Sequence, residues 1–301
     1  TVEYSSGGDV IYAVNSVSFD LERGKTLGLV GETGAGKTTI AKAIMRVLPM
    51  PQASIRSGEI LLNGEDILQK PEEKMLDIRG RRVSMIFQDP MTALNPTMTV
   101  GEQIAEVVRL HSDATGDEAK HRAMEMLKRV GIMADRYNNY PYQFSGGMKQ
   151  RVVIAMALVF KPELLLADEP TTALDVTIQA QILEMIRNFK QKFNTSMILI
   201  THDLGIVAEN CDTVAVIYAG QIVEFGSRED VFDHPSHPYT IGLFHSLPSW
   251  AVGEARLHPI VGSPPDPRKF PVGCSFHPRC PRATDTCRSG EVPNTEISNG
   301  H

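Results

Sequence analysis

Apolar residues recur along this chain at two different periods, and the switch between them divides it. Ile11 to Leu21 and Thr26 to Val30 are short alternating or apolar runs that predict strands, the second running straight into a glycine-rich turn. Thr38 to Val47 carries a helical pattern closed by Pro49, and Gly58 to Leu62 and Val83 to Phe87 predict further strands. From Thr99 to Val130 the period becomes helical. Val100, Ile104, Val107 and Val108 share one face, as do Ala119, Ala123, Met126, Leu127 and Val130. Thr115 and Glu118 stand at capping-box spacing where the second of these helices begins. Val152 to Phe160 reads as a buried helix segment. Leu164 to Ala167 is apolar throughout, as a central parallel strand is, and a helix from Val176 to Lys192 and a strand from Ile198 to Thr201 follow. An α/β core with a helical insert is expected.

After residue 231 the regularity stops. Eleven of the 19 prolines lie between Val231 and His301, with six of the nine histidines and three of the four cysteines. Prolines at that density break helices and central strands, so an irregular extension begins near residue 231. Thirty-six acids against 30 bases leave a net charge of −6, which provides no field to gather nucleic acid. No apolar run approaches the roughly 18 to 20 residues that span a bilayer. The chain opens at Thr1 without a basic, apolar, cleavable leader, so no secretory signal is expected, and the missing initial Met suggests trimming. With so few cysteines a disulfide scaffold is not expected, and a cytosolic setting is.

Three local patterns carry chemistry. Gly31-Glu32-Thr33-Gly34-Ala35-Gly36-Lys37-Thr38, followed by Thr39, fits G-x-x-x-x-G-K-[ST] between a strand and a helix. Its glycines let successive N–H groups face phosphate oxygens, and the helix adds its positive end. Lys37 then supplies charge to the β and γ phosphates, and the Thr38 hydroxyl a magnesium ligand. Leu164 to Ala167 ends in Asp168 and Glu169, a magnesium-holding acid and a carboxylate able to orient or deprotonate water. Phe144-Ser145-Gly146-Gly147-Met148 precedes an apolar helix and makes a second anion site. One chain binding one ATP has no evident use for two such sites. Two chains placed head to tail do, each offering the second site to the other's γ-phosphate.

In motif order and spacing, nearly all of Thr1 to Phe232 resembles the nucleotide-binding subunits of ATP-binding-cassette (ABC) transporters. The resemblance implies a P-loop NTPase core of ABC type at residues 1–230, with an antiparallel β part at the N terminus and a helical subdomain at about 89–160. Phe144 to Met148 would be the family signature, with Phe and Met where Leu and Gln are usual. Gln88, in Phe87-Gln88-Asp89-Pro90, would reach magnesium and water and report to membrane subunits. Asp175, in Ala173-Leu174-Asp175, would belong to the loop contacting the opposite subunit, and His202 would hold the γ-phosphate. Tyr4 is the expected adenine stack, with Tyr12 as the alternative. ATP and Mg2+ are the implied ligands. A P-loop kinase or GTPase would leave Ser145 to Met148 unexplained, and no Asn-Lys-x-Asp guanine reader is present. A soluble cassette ATPase with no transport role would usually carry a coiled-coil insert or a second cassette.

The extension at 231–301 brings His237-Pro238-Tyr239-Thr240 and then Gly273-Cys274-Ser275-Phe276-His277-Pro278-Arg279-Cys280-Pro281. This ordering resembles ATPases of dipeptide, oligopeptide and nickel importers, as do Pro49 to Ser57 and Gln88 to Pro96. Peptide import is preferred to nickel on that resemblance alone. It implies two membrane permease subunits, a second ATP-binding subunit (a heterodimer, or a homodimer), an extracytoplasmic solute-binding protein, no nucleic acid, and a peripheral place on the cytoplasmic face of the membrane. Cys274, Cys280 and Cys287 put three soft ligands in a segment that lacks a core and needs a staple. A [4Fe-4S] cluster, Zn2+, or free or disulfide-bonded thiols are the alternatives. The resemblance implies a further cysteine ligand just beyond His301, a place His277 could take. Cys211 reads as an unrelated buried thiol.

Overall fold

In the structure, a computed structural model, residues 1–172, 174–246, 259–290, 292–298 and 300–301 are described. Strands β1 (Val2–Ser6) and β2 (Asp9–Val14) form a hairpin. Gly7 and Gly8 turn it with positive φ at both central positions, as a two-residue turn needs. β3 (Thr26–Val30) is buried throughout and leads to α1 (Lys37–Met45). The helix stops at Met45, two residues short of Val47, where Arg46 takes a left-handed conformation at φ 51° ahead of Pro49. β4 (Ala53–Ile55) follows, then the short pair β5 (Leu61–Leu62) and β6 (Glu65–Asp66), α2 (Glu72–Ile78), β7 (Val83–Ile86) and α3 (Pro90–Ala93). Next come α4 (Val100–His111), α5 (Gly116–Arg129), α6 (Gly146–Leu158), β8 (Leu164–Asp168), α7 (Val176–Phe193) and β9 (Ser196–Ile200). The last elements are α8 (Leu204–Asn210), β10 (Thr213–Tyr218), β11 (Gln221–Ser227), α9 (Arg228–Asp233), α10 (Pro238–His245) and α11 (Asp285–Ser289).

These elements divide between two compact units. The first gathers residues 1–20, 27–60 and 202–301. Its antiparallel sheet runs β2-β1-β4, with Tyr4 paired to Ile11 on one side and Ala53 on the other. β10 lies parallel to β3, Thr213 opposite Leu27, and antiparallel to β11. The predicted strand from Ile11 to Leu21 stops at Val14. Ser16 takes φ 50° there and breaks the extended run, although exposure still alternates to Leu21.

The second unit holds residues 21–26 and 61–201. β7, β8 and β9 are parallel, with Leu164 opposite Val83 and Ser196, and the apolar runs of β8 and β9 are buried, as strands of a covered parallel sheet must be. The helical insert packs α4, α5 and α6 through the two predicted faces. Val107 lies at the edge of its face, and Ala105 completes the buried stripe instead. The Thr115–Glu118 capping box is present, both bonds made. Buried Gln103 donates to Asn95 O and Met98 O and accepts from Asn95 N–H, pinning the turn before α4.

Two features of this packing have measurable consequences. The backbone of α4 passes so close to Tyr137 that a Cβ on Gly101 would sit 2.2 Å from the ring. The Tyr137 hydroxyl is held by Glu102 at 3.1 Å, and burial, with that bond, pushes the phenol up to about 12, so it stays a donor. Gly101→Ala therefore forces the ring or the helix to move, and should destabilise the chain by roughly 1–3 kcal/mol in urea unfolding; an unchanged midpoint would refute the close approach. His237 caps α10, its Nδ1 accepting the Tyr239 N–H at 3.1 Å, which requires an unprotonated nitrogen. Partial burial lowers its pKa from 6.5, against an opposing pull from Glu224. The unfolded chain then binds more protons, so stability falls as pH drops below about 6.5 towards the folded value. His237→Asn, which keeps a capping oxygen, should flatten the fall in thermal midpoint between pH 7 and 5.5; an unaltered slope would exclude His237 as its source.

Candidate nucleotide site

The strand–loop–helix sequence β3, 31–36, α1 of the first unit is shaped by how closely its backbone passes other chain segments. A Cβ on Gly31 would lie 2.1 Å from Ile217 O, and one on Gly36 would lie 2.3 Å from Ala13 O. Both take positive φ, 149° and 102°, so only glycine fits either position. Gly34, at φ 83°, faces open space with nothing within 4 Å of a built Cβ. Thr33 and Gly34 are exposed at the tip, and Lys37 is buried. The Lys37 ammonium donates to Gly31 O at 2.7 Å and to Glu32 O at 3.0 Å, drawn back over its own loop. Ala35 O accepts from Gly220 N–H, so the loop is tied to the turn between β10 and β11. This is a cradle open at Gly34, closed at both ends, and backed by a helix N-terminus, which fits a polyphosphate.

Tyr4 and Thr39 stand 3.5 Å apart through their hydroxyls, so β1 brings the expected adenine stack next to the start of α1. The alternative, Tyr12, is exposed on β2 with its ring 6.5 Å from that of Phe270. His202 is exposed just after β9, where Asp203 caps α8 through Gly205 and Ile206 N–H groups. Thr38 is half-buried in the first turn of α1.

In the second unit, Asp168 ends β8 with only 3% of its surface exposed, while Glu169 follows in a left-handed conformation at φ 49°. A non-glycine residue there carries strain of about 1–3 kcal/mol. It is held by Glu169 N–H donating to Ile200 O at 2.9 Å and by the Thr172 hydroxyl donating to Glu169 Oε2 at 2.7 Å. The turn rotates the second carboxylate out of the strand's alternation, so the two neighbouring acids do not share one environment. Gln88 is exposed past the end of β7, between exposed Phe87 and the Asp89 cap of α3. Ser145 caps α6, accepting from Met148 N–H at 3.4 Å, with Gly146 exposed beside it. Phe144, at the unusual first position, is buried under the Arg136 guanidinium, 5.8 Å from its ring. A Cβ on Gly147 would meet Ile178 Cγ2 at 2.7 Å, so the α6 N-terminus lies against the start of α7. There Asp175 caps α7 by accepting from Ile178 N–H at 3.0 Å. Ala173 lies outside the described residues.

The Thr38 hydroxyl, the Gln88 amide oxygen and the buried Asp168 carboxylate are each oxygen ligands of the kind a hard cation takes, so the chemistry of these side chains fits magnesium. The three cysteines are not shown gathered around a metal position. Among the described residues no three His, Cys, Asp or Glu side chains gather to hold an ion, so neither the [4Fe-4S] cluster nor Zn2+ expected at Cys274, Cys280 and Cys287 is supported. None of the three is in a disulfide. Cys280 Sγ accepts from Arg282 N–H, and Cys287 Sγ pairs with the Thr284 hydroxyl, which draws that thiol below its usual range. The staple is aromatic instead. Phe276 is buried edge-on to Tyr218 and Tyr239, and Arg279 crosses to Glu32 of the phosphate loop. That link escaped the sequence reading, although both partners stand in the quoted motifs; they are 247 residues apart. Cys211 is buried, with Gly28 packed on its sulfur.

Comparison with known proteins agrees with this geometry. The family profile described as ABC transporter matches residues 14–172, and the profile described as oligopeptide/dipeptide transporter, C-terminal region, matches residues 223–287. The oligopeptide transport ATP-binding protein OppD of Bacillus subtilis is 49% identical over 303 residues, spanning all of this chain and 85% of the relative. The dipeptide transport ATP-binding protein DppD of the same organism is 49% identical over 302 residues, 100% of this chain and 90% of that protein. The post-hydrolysis dimeric structure of the ATP-binding cassette MJ0796, bound to ADP and Pi, shares the fold with a TM-score of 0.67 at 24% identity, covering 76% of this chain and 99% of the other. On these likenesses the chain belongs to the ABC transporter family, as one of its ATP-hydrolysing cassettes, in the group that carries the oligopeptide/dipeptide transporter C-terminal region.

Proposed function

We propose that this chain hydrolyses ATP to drive import of dipeptides or oligopeptides through membrane permease subunits. The match of residues 223–287 to the peptide-transporter C-terminal region carries this reading, because that segment lies outside the ATP-hydrolysing motifs shared across the family. The relatives' names, oligopeptide and dipeptide transport ATP-binding proteins, support peptide over nickel. Residues 1–230 form the cassette and 231–301 the extension. Among the described residues no helix is long and apolar enough to cross a membrane. In this reading the chain works on membrane subunits from a peripheral position on the cytoplasmic face, and the names of its transport ATP-binding relatives support that. Exposed Phe87 and Met91, on either side of Gln88 and Asp89, supply apolar surface for contact with a permease.

Each site residue has a task in this scheme. The N–H groups from Thr33 to Thr39 and the Lys37 ammonium bind the phosphates, and Tyr4 stacks on the base. Lys37 exchanges the carbonyls of Gly31 and Glu32 for phosphate oxygens, a short swing of a charge already present in the loop. Thr38, Gln88 and Asp168 would hold magnesium, which when bound neutralises charge between the β and γ phosphates. Glu169 orients or deprotonates the attacking water, and His202 holds the γ-phosphate. Ser145, Gly146 and Gly147 present the α6 N-terminus to the nucleotide of a second ATP-binding subunit, either a different chain or another copy, with Asp175 at the same junction. Loss of the γ-phosphate removes the bridge, the pair separates, and the permeases move. An extracytoplasmic binding protein delivers the peptide.

Glu169→Gln should cut ATP turnover by about 10² or more while leaving ATP binding intact, and the ATP-bound pair should persist in size-exclusion chromatography with light scattering. Undiminished turnover would remove Glu169 from its role. Transport is tested in cells lacking this chain: uptake of a labelled dipeptide or tetrapeptide should be lost and uptake of labelled nickel kept. Loss of nickel uptake alone would assign the ion instead, and no loss of either would point to a cassette without a transport role.

A further inference from the structure

Glu32, the second residue of the phosphate loop, is held on three sides. Its backbone N–H donates to the Tyr239 hydroxyl at 2.9 Å. Its carboxylate receives both prongs of the Arg279 guanidinium, Nη1 to Oε2 at 2.8 Å and Nη2 to Oε1 at 3.1 Å. Its carbonyl oxygen accepts from the Lys37 ammonium at 3.0 Å. The first two partners come from the C-terminal extension, and the third is the lysine that meets the phosphates.

Both extension residues are themselves fixed. Arg279 has 5% of its side chain exposed, and it also donates to Val261 O, Ile260 O and the Tyr218 hydroxyl. Its guanidinium lies 5.7 Å from the centre of the Tyr218 ring and 6.0 Å from that of Phe276. Tyr239 is fully buried, its ring 4.6 Å from Tyr218 and 5.4 Å from Phe276. Burial raises the Tyr239 pKa, so the hydroxyl stays neutral and can accept the Glu32 N–H. These bonds reach a loop segment lying between two glycines in positive φ, Gly31 and Gly34, where side-chain sterics impose little order. Such a loop binds phosphate weakly if it must be ordered at the moment of binding, and more tightly if its peptide planes are already set. Glu32 also puts a negative charge beside the place of a highly anionic ligand, and Arg279 neutralises it.

We propose that Tyr239 and Arg279 are positioning residues for ATP: by holding the backbone N–H and the carboxylate of Glu32 they preset the peptide planes of the phosphate loop. The extension thus acts on nucleotide affinity from outside the loop. This rests on ATP occupying the phosphate loop and is independent of which solute is imported.

The test is ATP affinity of the full chain, read by displacement of a fluorescent ATP analogue, with the thermal midpoint recorded in parallel. Tyr239→Phe removes one oxygen from a packed ring, and Arg279→Gln removes the fork and its charge; each should raise the Kd for ATP about tenfold, the scale of a charged or buried hydrogen bond. Arg279→Lys should recover only part of the loss, since an ammonium cannot reproduce the two-pronged contact. Arg288→Gln, in an exposed pair with Asp285, should leave the Kd unchanged. Adding Glu32→Gln to Arg279→Gln should bind ATP more tightly than Arg279→Gln alone, because the uncompensated carboxylate is gone. A lowered thermal midpoint with an unchanged Kd in Tyr239→Phe and Arg279→Gln would overturn the inference, as would a double variant weaker than either single one. Failure of the unaltered chain to bind ATP would instead sink the nucleotide site itself.

Discussion

The shape of the phosphate loop depends on two backbone contacts that tolerate no side chain. At Gly31 the loop leaves β3 almost touching the carbonyl of Ile217 on β10, and at Gly36 it enters α1 almost touching the carbonyl of Ala13 on β2. Those contacts fix both ends of a six-residue arc, so its N–H groups curve inward and the arc cannot flatten. They also tie the loop to the parallel register of β3 and β10 from Leu27 to Val30: a slip of one residue would move Ile217 away from Gly31. Apolar burial in these strands thus sets the position of a polar cradle.

The acids show the complementary device, in which environment separates two neighbours of the same chemistry. Asp168 remains in the strand and is buried; Glu169 leaves the strand through a left-handed turn that costs free energy and is kept by Thr172 and Ile200. A buried carboxylate at a strand end is suited to a cation, and a rotated one beside it is suited to a water. In a straight strand the two side chains would point to opposite faces; the left-handed turn at Glu169 instead carries the second carboxylate out of that alternation.

Legibility in the sequence followed the distance over which each interaction acts. The phosphate loop, the two acids and the Ser145–Gly147 helix start were readable because their parts lie within a few residues of one another and a fixed backbone form joins them. The same holds for the Thr115–Glu118 capping box and for the buried faces of α4 and α5. Ile11 to Leu21 was over-read as one strand, since the pattern of exposure continues past the point where Ser16 ends the ladder, and periodicity does not record a single residue at positive φ. The extension was the least readable part. Its need for a staple followed from its many prolines and thin core, but three cysteines drew attention from the aromatic residues that meet that need. No local pattern announces that Phe276 will pack on Tyr218 and Tyr239, or that Arg279 will find Glu32.

The position of that staple changes what the extension is. An appendage held on by its own metal would be energetically separate from the cassette, and its loss would leave the phosphate loop as it was. Here the groups that order the extension are the same groups that order the loop: Tyr218 belongs to β10, whose neighbour Ile217 confines Gly31, and its hydroxyl and ring both meet Arg279. Folding of the extension and shaping of the phosphate loop therefore share one buried cluster. A ligand or partner that disturbed the extension would be felt at Glu32, and a nucleotide that drew Lys37 away from the Glu32 carbonyl would be felt in the extension, since coupling between two sites acts equally in both directions.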